Sequence, residues 1–323
     1  MAWPTARMPR DGTVEVAFVR LGYDGCPIQP HTRIAVPAFN FWPKLVHNGD
    51  GFAVAYIAGI GNRWEHHLLV LDAQGALVAG PLRFNVPGIL TFYRLDAAAA
   101  GQEFAVLSVN GAGLAFALFG PDGRVAREPA QLVTNGADVD NNVYATSGVA
   151  WDGEALAGVF SARAADRWDE VYFMRWRLDG TFVTPPIRLA IGAVRDDAVG
   201  PTNELVWTGR YFMTTYADQR GGGSSVMAVD PNDPAHPLLH PHAFPFSAEF
   251  EARGGAAVPI YGNTFDIAGA NLIRVSPTGA VIARRDDTPG TVVGYANAGQ
   301  PGYPYGYAFW DGWFAYVGCP MEE

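Results

Sequence analysis

Cysteine is almost missing from this chain: Cys26 and Cys319 are the two in 323 residues. Two thiols cannot build a disulfide framework or the four-ligand set of a structural zinc site. Lysine is scarcer still, with Lys44 alone against 21 arginines, so at most one side chain could form a Schiff base. Basic residues are outnumbered, 22 to 32, for a formal net charge of −10. A polyanion needs a basic face, so nucleic acid is excluded as a partner. No apolar run approaches the roughly 20 residues of a membrane-spanning helix, and no membrane partner is expected. Met1-Ala2-Trp3-Pro4 lacks the charged head and apolar run of an export signal. The expected location is the cytoplasm, or outside it if a leader has already been removed. Gly-x-Ser-x-Gly, His-Glu-x-x-His, a P-loop and a dinucleotide fingerprint are all missing, so no cofactor is expected.

What is present is an apolar, turn-rich chain. Apolar residues make up 49% and charged ones 17%, enough to build a large core and too apolar for disorder. Gly (38) and Pro (24) are abundant without forming low-complexity tracts.

The turns repeat. An aromatic-x-Gly turn followed by an alternating apolar strand occurs as Trp151-Asp152-Gly153, Trp207-Thr208-Gly209, Tyr261-Gly262-Asn263 and Trp310-Asp311-Gly312. Weaker copies lie at Asn48-Gly49-Asp50 and Ala100-Gly101-Gln102, so successive copies are 49 to 56 residues apart. A second signal alternates with the first: Asp24-Gly25, Asp72-Ala73-Gln74-Gly75, Asp122-Gly123, Asp179-Gly180, Pro231-Asn232-Asp233 and Ser276-Pro277-Thr278-Gly279. Asp-Gly between alternating apolar residues is a strong hairpin signal. Pro30, Pro81, Pro129, Pro186 and Pro237 follow these turns, and proline, which lacks the ladder donor, belongs on outer strands.

Two hairpins and about four strands in some 50 residues are the size of a β-propeller blade. Runs such as Phe52-Ala53-Val54-Ala55-Tyr56 have the period of a strand, and no convincing helix occurs. The expected fold is all-β: one domain over 1–323, a six-bladed β-propeller with four-stranded antiparallel blades. Its phase predicts a closing blade shared by the N- and C-terminal strands, from about 13–36 and 303–318. In that blade the two cysteines sit some 20 Å apart, outside disulfide reach, and are expected to be free thiols.

Trp151-Asp152-Gly153 through Arg163, Val171 to Gly180, and Tyr211 through Arg220 resemble the degenerate WDG-type propeller repeats of GC-rich bacteria. The resemblance covers the chain and implies an architecture, not an activity. Asp11 through Arg20 is also similar to a stretch of the propeller lectins, which implies carbohydrate binding.

A propeller presents its ligand at the mouth where the innermost strands begin. The segments entering those strands, about 36–45, 85–95, 134–146, 190–205, 241–255 and 288–306, are long and aromatic. Rings with a few oriented polar groups are the chemistry of a small-molecule or sugar pocket. The candidate ligand-binding residues are Asn40, Trp42, Tyr93, Asp138, Asp140, Asn142, Tyr144, Asn203, Glu251, Arg253, Tyr303 and Tyr305. Asp138, Asp140 and Asn142 alternate hard oxygen ligands as a calcium loop does, but lack the closing glutamate of an EF-hand; a plain Asx turn is the competing reading. His66-His67 lies on a strand, where neighbours face opposite sides and cannot chelate together.

The six entry segments share almost no polar motif, which favours one asymmetric site over repeated pockets. Binding of a small molecule or carbohydrate comes first. An enzyme (hydrolase, lyase or cyclase) with acid/base residues at the same mouth is the alternative, and a protein-interaction platform the third.

Overall fold

The computed structural model describes residues 2–4, 13–18, 32–37, 39–60, 63–84, 95–139, 142–163, 169–191, 205–218, 223–244, 256–260, 264–268, 272–275, 281–285, 291–296, 306–310 and 314–316. The N-terminal sheet has three strands, β1 (Ala2–Pro4), β2 (Thr13–Phe18) and β3 (Thr32–Pro37). The first four-stranded sheet is β4 (Phe39–His47), β5 (Gly51–Ile60), β6 (Arg63–Asp72) and β7 (Leu77–Phe84). The second is β8 (Leu95–Ala100), β9 (Glu103–Asn110), β10 (Gly113–Phe119) and β11 (Val125–Thr134). The third is β12 (Asn142–Trp151), β13 (Leu156–Arg163), β14 (Asp169–Trp176) and β15 (Phe182–Ile191). The fourth is β16 (Val206–Trp207), β17 (Phe212–Asp218), β18 (Gly223–Val229) and β19 (Leu238–Phe244). The fifth is β20 (Ala256–Ile260), β21 (Thr264–Ala268), β22 (Leu272–Val275) and β23 (Val281–Arg285). The C-terminal sheet is β24 (Thr291–Ala296), β25 (Gly306–Trp310) and β26 (Phe314–Tyr316). Every pairing within the sheets is antiparallel and joins strands adjacent in the chain.

The N-terminal sheet and the first four four-stranded sheets pack face to face in chain order. Alternation along one strand feeds two interfaces: Ala53, Ala55 and Ile57 of β5 join the core shared with the second sheet, and Val54, Tyr56 and Ala58 the core shared with the N-terminal sheet. Leu156 and Phe160 of β13 likewise face the second sheet, and Ala157 and Val159 the fourth. Burial on both faces is why the middle strands read as continuous apolar runs; every residue of β10 is buried. The first strands of successive sheets abut one another, β1 on β4, β4 on β8, β8 on β12, β12 on β16, β16 on β20 and β20 on β24.

The fourth strand of each four-stranded sheet lies at an edge and is bulged. In β7 the pairing jumps from Leu82 to Ala79 across Pro81; in β11 from Ala130 to Arg127 across Pro129; in β15 from Ile187 to Thr184 across Pro185 and Pro186. A residue with no N–H cannot complete the ladder, so the register slips where proline falls. In β19 the slip spans Pro241, while Pro237 stands just before the strand; Pro30, like Cys26 and Cys319, lies outside the described residues.

The strand pairs predicted around the turns are present, and among the described turns several are closed by their own side chains. Asp152 Oδ1 accepts the Glu154 and Ala155 amides (2.8 and 2.7 Å), and its other oxygen pairs with Arg175 of β14. Asn48 and Asp72 cap their turns in the same manner.

The chain ends depart from expectation. The strands foreseen in 13–36 and 303–318 form as β2, β3, β25 and β26, but in two separate sheets. Each sheet has an added strand: β24 pairs with β25, and β1 pairs with β2, Ala2 opposite Phe18. β1 thereby takes the edge of β2 that a shared blade offers to β26.

Two turn glycines differ in what surrounds them. Gly153 has φ of +101° and open space where a Cβ would stand, whereas Gly123 has φ of +80° and its Cβ would lie 2.5 Å from the Ala79 Cβ of the neighbouring sheet. Gly153→Ala therefore costs the left-handed strain, about 1–2 kcal/mol. Gly123→Ala adds an overpacking cost of roughly 1–3 kcal/mol. Urea unfolding of both variants checks this; equal losses would mean that the sheet-to-sheet contact is not felt.

Candidate functional site

In these antiparallel sheets the first strand runs from the sheet-to-sheet connection toward the aromatic-x-Gly turn. The entry ends of β4 and β12 hold four expected ligand residues, Asn40 and Trp42 on β4 and Asn142 and Tyr144 on β12. Both strands are irregular there. Pairing jumps from Phe41–Ile57 to Lys44–Ala55, which puts Trp42 in a bulge; it jumps again from Val143–Ala162 to Ala145–Ser161, which leaves Tyr144 unpaired. Bulges re-aim side chains and are enriched beside active sites.

Asp138 is exposed, and its Oδ2 accepts the Thr134 amide at 2.7 Å while its own amide bonds the Thr134 carbonyl. Asn135 completes the turn, accepting from the Val143 amide and donating to the Gly111 carbonyl. The Asp138 carboxylate thus closes its own turn. Tyr93, Asp140, Asn203, Glu251, Arg253, Tyr303 and Tyr305 lie outside the described residues. Among the described residues no group of three His, Cys, Asp or Glu side chains is arranged to hold a metal ion.

The first strands also bring together a pair absent from the sequence-based set. Lys44 Nζ of β4 lies 3.9 Å from Asp96 Oδ1 of β8. Asp96 is buried, and its carboxylate accepts the Ala97 amide at 2.8 Å and a backbone hydrogen bond from Val149 of β12. One carboxylate therefore joins the first strands of three successive sheets. Burial raises its pKa above the ordinary carboxylate value; the Lys44 ammonium and the two amides pull the other way.

A signal for this pair existed. Counting back from the turn glycines Gly49, Gly101 and Gly153, the fifth residue is Lys44, Asp96 and Gly148. The second entry segment ends at about residue 95, one residue short of Asp96.

No protein-family model matches the chain, and no curated protein matches it. Among solved structures it is similar to the Dos1 propeller, at 13% identity and a TM-score of 0.52 over 88% of this chain and 68% of that one. It also aligns with a subtype N10 neuraminidase-like protein of A/little yellow-shouldered bat/Guatemala/060/2010 at 9% identity and a TM-score of 0.45, over 76% and 82% of the two chains. Prolyl oligopeptidase B from Galerina marginata aligns at 10% identity and a TM-score of 0.47, over 95% of this chain and 47% of that one. The first likeness, with the four-stranded antiparallel sheets, shows that the chain has β-propeller architecture. At such identities a likeness carries the fold and no activity.

Removing one partner of a buried pair leaves an uncompensated charge. Asp96→Ala is expected to lose roughly 2–4 kcal/mol, since two backbone amides also lose their acceptor. Lys44→Met costs less and raises the Asp96 pKa further. The double variant, measured by chemical unfolding, loses less than the sum; strict additivity would show that the groups do not interact.

Proposed function

We propose that this chain binds a small molecule or carbohydrate in an aromatic-lined axial pocket at the entry ends of its first strands. The observation that carries the reading is the paired irregularity of β4 and β12, with bulges at Trp42 and Tyr144, on strands that both lead to the Lys44–Asp96 pair. The other ligand residues in this reading are Asn40, Tyr93, Asp138, Asp140, Asn142, Asn203, Glu251, Arg253, Tyr303 and Tyr305. Rings supply the stacking area, and amides and charges the orientation. A catalytic version of the same pocket is favoured by Asp96, whose raised pKa suits a general acid.

The architecture in this proposal is a ring of six WDG-type blades, in which β2 and β3 complete the sheet of β25 and β26. The six turns of each kind support it. It requires β26 to displace β1 from the β2 edge. A disulfide engineered between β2 and β26, in a background with Cys26 and Cys319 replaced by serine, forms readily in a shared blade. It does not form if β1 keeps its edge.

The binding reading is tested by a thermal-shift screen of mono- and oligosaccharides and small polar metabolites, followed by calorimetry. A ligand that raises the Tm of the parent protein should bind Trp42→Ala and Tyr303→Ala at least about tenfold more weakly, a loss of about 1.4 kcal/mol. Leu238→Ser, on an outer strand, should leave binding unchanged. If Trp42→Ala and Tyr303→Ala bind every responding ligand as the parent does, the axial pocket is not the site.

A further inference from the structure

Among the described residues, four of the seven buried side-chain polar atoms without a partner lie in one sheet; the others are Arg127 Nε of β11 and Arg175 Nε and Trp176 Nε1 of β14. The four are the Tyr56 hydroxyl, both ring nitrogens of His66 and Nδ1 of His67, buried with no hydrogen bond. All belong to β5 and β6, at the heart of the first four-stranded sheet. The two imidazoles lie on opposite faces. His66 stacks on Phe84 (centroids 5.5 Å apart) on the face turned to the second sheet. His67 stacks on Tyr56 (5.4 Å) on the face where Phe18, Ile34 and Val36 of the N-terminal sheet pack.

The third sheet holds a satisfied version of the same arrangement in the same register. There Phe160 stands opposite Tyr172, and Tyr172 opposite Arg188, as Tyr56 stands opposite His67 and His67 opposite Arg83. Phe160 stacks on Tyr172 at 5.2 Å, the Tyr172 hydroxyl donates to Glu170 at 2.7 Å, and Arg188 pairs with Glu170 at 2.9 Å. In the first sheet Glu65 likewise pairs with Arg83 at 3.1 Å and lies 3.3 Å from His67 Nε2. Within this arrangement three residues differ between the copies: Phe160 is replaced by Tyr56, Val171 by His66 and Tyr172 by His67. Those changes introduce every orphaned atom of the first sheet. A buried polar group with no partner destabilises its surroundings, and here two of the three can also take a charge.

We propose that the first four-stranded sheet is an acid-sensitive joint: charging of His66 and His67 loosens it from its neighbours and frees the N-terminal sheet. That sheet has three strands, and its described apolar contacts are made on the Tyr56 face. The ionic surroundings set the direction. His67 is the charged or titratable group whose field acts on His66, while Glu65 and Arg83 act on His67. Glu15 on β2, Arg33 on β3, Lys44 and His47 on β4, Asp96 on β8 and Glu103 on β9 are the charged or titratable residues on the strands alongside. Burial pushes His66 down to about 4 from 6.5, helped by the charge of His67. Burial also lowers His67, against the pull of the Glu65 carboxylate. Both rings are neutral when packed and charge more readily once released. The hold is therefore complete above about pH 6.5 and is lost as pH falls from there toward 4. Asp96, with a raised pKa, favours the folded form toward low pH, so a global melt would mix opposing effects.

Regional hydrogen exchange separates them. Exchange of the full chain, corrected for intrinsic pH dependence, is compared at about pH 7.5 and pH 5. Protection in 13–18 and 32–37 should fall at least about tenfold at the lower pH, while 156–163 in the third sheet keeps its own. The triple variant Tyr56→Phe/His66→Val/His67→Tyr, which copies the third sheet, should lose this pH dependence; His67→Gln, which cannot charge, should weaken it. Equal protection of 13–37 at both pH values overturns the proposal. So does a loss spread equally to the third sheet, or one that persists in the triple variant.

Discussion

Burial of the middle strands on both faces is the constraint on which the rest depends. A strand packed between two neighbouring sheets has no solvent side to which polar side chains can be relegated, so its sequence becomes a run of small and apolar residues. β10 is the limiting case, buried at every position. A buried polar group then needs a partner, and on the middle strands of the first sheet Tyr56, His66 and His67 leave that demand partly unmet. Asp152 meets that demand twice, capping its turn with one oxygen and meeting Arg175 with the other. Glu170 meets it with Tyr172 and Arg188.

The same constraint explains the outer strands. A sheet packed on both faces still exposes one free edge, and a free edge invites pairing with another chain. In β7, β11, β15 and β19 the pairing slips at a proline, which removes a donor and bends the edge at the same step. Proline placement thus protects an architecture whose middle strands are too apolar to protect themselves.

This division governs what could be read from the sequence. Glycines at positive φ and edge prolines are dictated by the backbone of a single residue, so the hairpins and outer strands were legible. The fold class followed from their spacing. The ends were less legible because β1 is three residues long and β26 also three. A strand that short carries no period and forms where an edge is available. Lys44 and Asp96 were missed for a different reason. Their meeting depends on the first strand of one sheet abutting that of the next, which no single repeat shows. The aromatic candidates Trp42 and Tyr144 stand out in the sequence because rings in an entry segment are visible one segment at a time.

The copies diverge at their polar positions. The second sheet has Gly113 and Gln131 at the positions of Glu65 and Arg83, and Gln131 bonds the Leu114 and Val133 carbonyls instead of a carboxylate. At the fifth residue before the turn glycine, lysine, aspartate and glycine follow in succession. Gly148 places no side chain at that position, and its neighbour Val149 supplies the backbone hydrogen bond to Asp96. Selection for architecture alone has no reason to break the equivalence of these positions, since any small apolar residue satisfies the packing. A lysine facing a buried aspartate costs desolvation on both sides and is neutral at best against an apolar pair. The pair therefore adds nothing to the stability of these sheets that an apolar pair would not supply.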